Sequence, residues 1–144
     1  MMLKVVLACL LVSVTCAKDI RIELTGNYYF STDIKSWYDA RIFCSNNNLE
    51  LASVQDEAEA SLIQSLAPAQ GIYWTSGTDL NNPNGNFFWS SGAAIEHSNP
   101  MWAAGEPNDY LTAGTEVCVS INTNTGKIQD SLFWEQYKYI CESV

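Results

Sequence analysis

Residues 105–118, GEPNDYLTAGTEVC, carry side-chain oxygen atoms at close spacing. Pro107 separates the carboxylate of Glu106 from the carboxamide of Asn108, and Glu116 adds a second carboxylate near the end of the segment. Carboxylate and carboxamide oxygens are the ligands that a hard cation such as calcium prefers, with about six to eight oxygens around each ion. The segment therefore predicts a cation site, with a merely solubilising acidic surface as the alternative interpretation.

The charge of the whole chain disfavours two classes of partner. The 144 residues include 16 acidic and 7 basic side chains, so the formal net charge is −9. Removal of residues 1–17, which contain Lys4 and no acid, changes that charge to −10. Nucleic acids and anionic membrane surfaces would both repel such a protein. Composition alone does not choose between the partners that remain.

The first residues of the chain are typical of a secretory signal peptide. Lys4 precedes an apolar run over residues 5–14, and small residues at positions 15 and 17 suit a peptidase cut after Ala17. The run is shorter than the roughly 20 residues that a membrane span needs. We therefore predict a secreted, extracellular protein with a signal peptide over residues 1–17; a retained membrane anchor is the alternative.

The remaining residues, 18–144, have the length of one domain with one core. Hydrophobic periodicity predicts a first helix that begins at Ser36 and ends at the asparagine run 46–48, then a second helix capped by Ser53 and stopped before Pro68. Short β-prone runs lie at 20–24, 27–30, 73–74, 87–89, 117–121 and 137–140. Long polar loops at 76–86 and 90–116 separate some of these runs. The pattern indicates an α+β domain with two helices and several antiparallel strands.

Several motifs, in this order and spacing, resemble the C-type lectin domain over essentially all of residues 18–144. They are WYDAR (37–41) with Cys44, LASV (51–54), YWTSGTDL (73–80), FFW (87–89), Trp102 with GEPN (105–108), EVC (116–118) and YICE (139–142). The resemblance is strongest to small secreted single-domain lectins of arthropods with an EPN, or mannose-type, motif. It implies the C-type lectin fold, in which two helices and small antiparallel sheets carry a long calcium-binding loop region.

The resemblance also implies a disulfide between Cys44 and Cys141. That bridge closes a loop of about 97 residues and contributes about 4 to 5 kcal/mol on the chain-entropy model. The second disulfide of the family would join Cys118 to the position that Phe133 occupies, so this chain lacks it. An odd number of cysteines remains after the signal peptide leaves. Cys118 is then either a buried inert thiol or the route to an oligomer, which is disulfide-linked if the thiol pairs between chains.

The calcium ligands that the resemblance implies are Glu106, Asn108, Glu116, Gln129 and Asp130. In the family the Glu-Pro bond is cis, so that the side chains on either side of the proline point at one ion. Gln129 stands where the family's WND motif has asparagine, and its side chain is longer by one methylene. A misplaced ligand of this kind lowers metal affinity by about ten- to a hundred-fold. Weak calcium binding, or none, is therefore one expected outcome.

The same residues imply a sugar site in which two adjacent hydroxyls complete the coordination of the ion. The resemblance assigns that role to Glu106, Asn108, Glu116, Gln129 and Asp130, and Tyr110 is placed to stack on a sugar face. In the family, the order Glu-Pro-Asn goes with equatorial hydroxyls, as in mannose, N-acetylglucosamine and glucose, or the equivalent pair on fucose. The expected partners are glycans on microbial, viral or host surfaces, recognised in innate immunity.

A second calcium site is also predicted near the first. Asp79, Asn84 and Asp109 occupy positions at which some family members place ligands that share Glu116. The alternative is that these residues cap loops, because short Asp and Asn side chains bond readily to nearby backbone amides.

No residues predict catalysis. His97 and Cys118 would need an oxyanion hole and an orienting acid to form a nucleophile pair, and the sequence supplies neither. A zinc site is equally unsupported, since His97 is the one histidine and no CxxC pair exists. The competing functional hypothesis is a C-type-lectin-like module that binds a protein partner without calcium, which the Gln129 substitution would permit.

Overall fold

A computed structural model describes residues 22–80, 82, 85–112 and 117–144. The predicted signal peptide and two predicted calcium ligands, Asn84 and Glu116, lie outside these ranges. Within them, no helix has both the length and the apolar character that crossing a membrane requires.

The described residues form an α+β structure, as predicted. The elements in chain order are β1 (Tyr28–Phe30), α1 (Trp37–Asn46), β2 (Glu50–Leu51), α2 (Glu57–Leu66), β3 (Ile72–Thr78), β4 (Phe87–Phe88), β5 (Ala94–Ile95), the 3-10 helix η1 (Asp109–Thr112), β6 (Val117–Asn122), β7 (Lys127–Leu132) and β8 (Lys138–Glu142). The strand predicted at 20–24 is wrong over its described part, since residues 22–24 belong to no strand. Alternation of apolar and polar residues is not enough to form a strand, because a strand is stable only when it pairs with a neighbouring strand.

Both helices are capped at their N-termini by side chains. The Ser36 hydroxyl accepts a hydrogen bond from the Asp39 amide and starts α1, as expected. Asp56, not Ser53, caps α2 by accepting from the Glu59 amide at 2.8 Å. Ser53 lies before the helix, where its hydroxyl is 2.8 Å from the Ser76 hydroxyl. Both residue types cap well, but Asp56 directly precedes the first residue of α2, whereas Ser53 lies three residues earlier in the chain.

The strands combine into sheets that bring distant segments together. β8 pairs with β1 and β2 antiparallel and with β3 parallel, which joins the two ends of the domain. β6 pairs antiparallel with both β3 and β7, and β4 lies between β3 and β5. The register of β6 with β7 sets Val119 opposite Asp130 and Ser120 opposite Gln129. These pairings place Asp130 on the strand along which the GEPN segment runs.

Two clusters of buried side chains hold the elements. The first joins α2 to the sheet and reaches the GEPN region through Phe87, Met101 and Trp102. The second joins α1 to β8 and includes the disulfide between Cys44 and Cys141, which confirms that prediction.

Cys118 belongs to the second cluster and is fully buried, with its Sγ 3.6 Å from the Thr78 hydroxyl. An intermolecular disulfide through this thiol would require β6 to open. Phe133 packs against the same cluster, and its ring lies 5.5 Å from that of Tyr38. Position 133, where the resemblance implies a cysteine, thus contributes an aromatic contact instead.

Candidate functional site

Backbone hydrogen bonds hold residues 101–103, just before the GEPN segment, against β7. The Ile128 amide donates to the Met101 carbonyl, and the Ala103 amide donates back to the Ile128 carbonyl, each at 2.9 Å. Trp102 is buried beside this ladder and donates through its indole N–H to the Glu96 carbonyl. The chain then leaves β7 at residues 104–107, where the Glu106–Pro107 bond is cis, as the resemblance implies.

Asp130 clamps the backbone that follows the proline. Its side chain is almost fully buried; Oδ1 accepts from the Asn108 amide at 2.8 Å and Oδ2 from the Tyr110 amide at 2.9 Å. Each carboxylate oxygen has a second lone pair, so these bonds leave room for another electropositive partner. One buried acid therefore determines the conformation of the loop that carries Glu106 and Asn108.

Glu106 and Asn108 converge on the same point. The Asn108 Nδ2 group donates to Glu106 Oε1 at 3.1 Å. Glu106 Oε2 is buried and has no hydrogen-bond partner among the described residues. Burial, and next the neighbouring Asp130 carboxylate, raise the pKa of Glu106 to about 7. The Glu106 and Asp130 carboxylates lie close together here, and this set of carboxylate and carboxamide oxygens fits a hard cation.

Gln129 is half-buried in β7, next to Asp130. Successive side chains of a strand point to opposite faces of the sheet, so the side chains of Gln129 and Asp130 point in opposite directions. Among the described residues, no hydrogen bond joins the Gln129 carboxamide to Glu106, Asn108 or Asp130. The structure therefore brings Glu106, Asn108 and Asp130 together, and it leaves the fifth predicted ligand, Glu116, undescribed.

Of the residues predicted for a second calcium site, the structure describes Asp79 and Asp109. Asp79 is buried at the end of β3, where its Oδ1 accepts from the Val117 amide at 3.0 Å. Burial raises the pKa of Asp79, while hydrogen bonds from the backbone amides of Val117 and Gly85 oppose that change. Asp109 opens η1, and burial followed by the Asp130 charge raises its pKa. Within the described ranges, no three His, Cys, Asp or Glu side chains are arranged to hold a metal ion.

The Tyr110 ring packs on the inside of the loop. Its centroid lies 5.0 Å from that of His97 and 6.3 Å from that of Phe87, to which it is nearly perpendicular. Gly85 has φ +74°, and a Cβ there would come within 2.7 Å of the Tyr110 ring. The Tyr110 ring is only half-buried, so part of it is accessible to a ligand. Sugar stacking by Tyr110 therefore remains a prediction, in addition to its packing role. Sequence patterns offer no signal for such supporting contacts by Gly85, Phe87 and His97.

Comparison with known proteins identifies the family. A model of the lectin C-type domain matches residues 33–143. Lithostathine-1 of Mus musculus is 36% identical over 124 residues, which cover 80% of this chain and 70% of the relative. Both the family match and this relative agree with the motifs in the sequence.

Solved structures agree as well. TC14, a C-type lectin from the tunicate Polyandrocarpa misakiensis, superposes with a TM-score of 0.70 at 20% identity over 81% of this chain and 96% of its own, which shows the fold. The C-type carbohydrate-recognition domain of cow CD23, solved in the presence of a GlcNAc2Man3 oligosaccharide, has a TM-score of 0.68 and 28% identity over 81% of this chain and 86% of that one. The chain belongs to the C-type lectin domain family, whose members are non-enzymatic carbohydrate-binding proteins.

Proposed function

We propose that this protein is a secreted lectin that binds carbohydrate through calcium. The observation that carries the proposal is Glu106 Oε2, which is buried beside the Asp130 carboxylate and has no hydrogen-bond partner among the described residues. An uncompensated pair of acids is costly unless a cation completes it. Glu106, Asn108 and Asp130, which lie together, would hold the ion, and Glu116 and Gln129 are assigned to it by resemblance to the family alone. The leader-like residues 1–17 and the disulfide support an extracellular location.

The bound calcium would supply a positive centre to which two neighbouring sugar hydroxyls bind. The protein's own groups complete the recognition: Glu106 accepts a hydrogen bond from one hydroxyl, and Asn108 donates to the other. In the structure these two groups bond to each other at 3.1 Å, which satisfies one donor and one acceptor. Sugar binding exchanges that internal bond for bonds to the ligand, while Asp130 keeps the backbone in place.

The order of acceptor and donor favours mannose-type sugars. In EPN members of the family, equatorial hydroxyls meet this arrangement, whereas galactose presents an axial 4-hydroxyl. The family structure solved with a mannose-containing oligosaccharide supports the same class of ligand. Recognition of microbial surface glycans in innate immunity would then depend on several weak sites acting together, since clustering adds about 10² to 10⁴ in avidity.

Calorimetry with calcium, followed by calcium and mannose, tests the proposal directly. We expect saturable calcium binding near 10⁻⁴ to 10⁻³ M or weaker, in the range of extracellular modules. Mannose should bind only in the presence of calcium. No heat with calcium at neutral pH would instead favour the calcium-independent, protein-binding alternative that the Gln129 substitution permits.

A double substitution tests the sugar preference. Glu106→Gln with Asn108→Asp exchanges acceptor and donor while conserving side-chain size and net charge, so calcium binding should persist. Binding on a glycan array should move from mannose-type towards galactose-type ligands. Unchanged preference in the double variant would show that another part of the loop chooses the sugar.

Protons and calcium should compete at Glu106. Because the folded-state pKa of Glu106 is raised to about 7, the folded protein takes up a proton between pH 8 and pH 6 that the unfolded chain does not. In a chelator, the melting temperature should therefore rise by a few degrees, about 2 to 5 °C, over that interval. Calcium should raise the melting temperature at pH 8 and have less effect at pH 6, because its ligands must be deprotonated.

The variant Glu106→Gln is the control for this pH dependence. It removes the titrating carboxylate and leaves His97, Asp130 and the rest of the loop in place. Its melting temperature in chelator should vary less between pH 8 and pH 6 than that of the natural protein. An equal pH dependence in both proteins would assign the effect to another group.

A further inference from the structure

An exposed tryptophan follows the strand that carries Asp130. Trp134 lies two residues after Leu132, the last residue of β7, and 49% of its surface is exposed. It is the one aromatic residue among the exposed large hydrophobic side chains of the described ranges. The other four tryptophans of the chain are at most 7% exposed. Trp134 therefore presents an aromatic surface that a ligand can reach.

Contacts within the turn after β7 hold this ring in place. The Trp134 ring centroid lies 5.0 Å from that of Phe133, with an angle of 81° between the ring planes. The Phe133 carbonyl accepts from the Trp37 amide at 3.0 Å, and the Glu135 amide donates to the Leu132 carbonyl at 2.9 Å. A side chain that is already oriented loses little conformational entropy when a ligand packs on it.

The turn lies at the edge of the proposed sugar site. Asp130, which binds the backbone after Pro107, precedes Trp134 by four residues, so their Cα atoms are at most about 14 Å apart. η1 directly follows the GEPN segment and packs on β7. The carboxylates of Glu135 and Asp109 are close enough to repel each other, which brings the turn next to the start of η1. Two or three linked sugar residues span such a distance.

The side chains around the ring suit a sugar. Glu135 and Gln136 directly follow Trp134, and both are exposed. A sugar has a face of C–H groups, which packs on an aromatic ring, and hydroxyls around its edge, which bond to carboxylate and carboxamide groups. A stable protein partner would instead need about 800 Å² of complementary surface. One ring beside two polar side chains favours the smaller, hydroxyl-rich ligand.

We propose that Trp134 is a second contact point for oligosaccharides and stacks on a sugar residue one or two units away from the residue held at the GEPN segment. This inference rests on the proposed calcium-dependent sugar binding and adds to it a preference for short chains of mannose-type sugars over single sugars. Glu135 and Gln136 bind hydroxyls of the stacked residue. Trp134 is not a ligand of the ion, so it contributes to oligosaccharide affinity and not to calcium affinity.

The test compares the dissociation constants of methyl α-mannoside and linear mannotriose, measured by calorimetry on the full-length protein with calcium. Their ratio is compared between variants, because repeated mannose units by themselves raise the apparent affinity for any single site. Trp134→Ala should lower the preference for mannotriose by about two- to ten-fold, the range of an aromatic contact, and leave methyl α-mannoside and calcium binding unchanged. Trp134→Phe should keep most of the preference. The matched control Leu62→Ala, which removes an exposed apolar side chain from α2, should keep all of it.

Tryptophan fluorescence gives an independent measurement of the same contact. Acrylamide quenches exposed indoles, and Trp134 is the exposed one among the five tryptophans. With calcium present, mannotriose should protect the protein from quenching, whereas methyl α-mannoside should not. Trp134→Ala should abolish this protection.

A preference for mannotriose that is unchanged in Trp134→Ala would overturn the inference, as would quenching that mannotriose does not reduce. A dimer in sedimentation that Trp134→Ala dissociates would also overturn it, in favour of a second copy of the chain on the ring. If neither ligand binds with calcium, the proposed function fails and this inference fails with it. If both ligands bind with a ratio that does not depend on Trp134, this inference alone fails.

Discussion

Asp130→Asn should abolish the response of the protein to calcium and lower its stability. The amide keeps one acceptor oxygen, but its NH₂ group cannot accept from a backbone N–H, so one of the two bonds to the Asn108 and Tyr110 amides is lost. A charged hydrogen bond in a buried site is worth about 1.5 to 3 kcal/mol. For a domain of this size the melting temperature should fall by about 10 °C. Differential scanning calorimetry with and without calcium measures both effects.

The control for this variant is Asp39→Asn, which makes the same chemical change at an exposed position in the first turn of α1. Its cost should stay below about 1 kcal/mol, the usual value of a charge near a helix end. Calcium should raise its melting temperature as it does that of the natural protein. A calcium response that survives in Asp130→Asn would remove Asp130 from the ligand set and leave it only its role as a backbone clamp.

Replacing Cys44 and Cys141 together by alanine should cause the largest loss of stability. The bridge spans a sequence separation of 97 residues, and on the chain-entropy model such a loop is worth about 4 to 5 kcal/mol. Since small domains are stable by only about 5 to 15 kcal/mol, this variant should be close to unfolding at 37 °C. Urea unfolding followed by tryptophan fluorescence would show the lower midpoint.

Cys118→Ala is the matched control, because it removes a sulfur from the same buried cluster without opening a bridge. It should cost only about 1 kcal/mol, the value of a small cavity. Reducing agent should lower the midpoint of the natural protein and leave that of the double alanine variant unchanged. Equal losses in both alanine variants would show that packing of the cluster, and not the covalent bridge, stabilises this end of the domain.

Sequence patterns predict the class of fold and most of the long elements, and the motifs predict the family. Periodic apolar residues predicted both helices, and the cysteines at 44 and 141 were paired correctly by resemblance to the family. The short strands β2 and β5 were missed, because two residues carry no periodicity. β7 was missed for a different reason: its inward positions are Ile128 and Asp130, and a buried acid breaks the apolar alternation by which a strand is recognised.

Which of the predicted site residues lie close together depends on long-range strand pairing. Spacing in the sequence allows Glu106 and Asn108 to share an ion. Their side chains converge because Asp130 binds the loop backbone, and the pairing of β6 with β7 brings Asp130 to Asn108 although the two are 22 residues apart in sequence. Asp79 illustrates the opposite case, since its type and spacing suggest a metal ligand while its carboxylate bonds to the backbone of β6. The physical reason is the same in both: a carboxylate binds whichever electropositive group lies nearest, and long-range strand pairing determines which group that is.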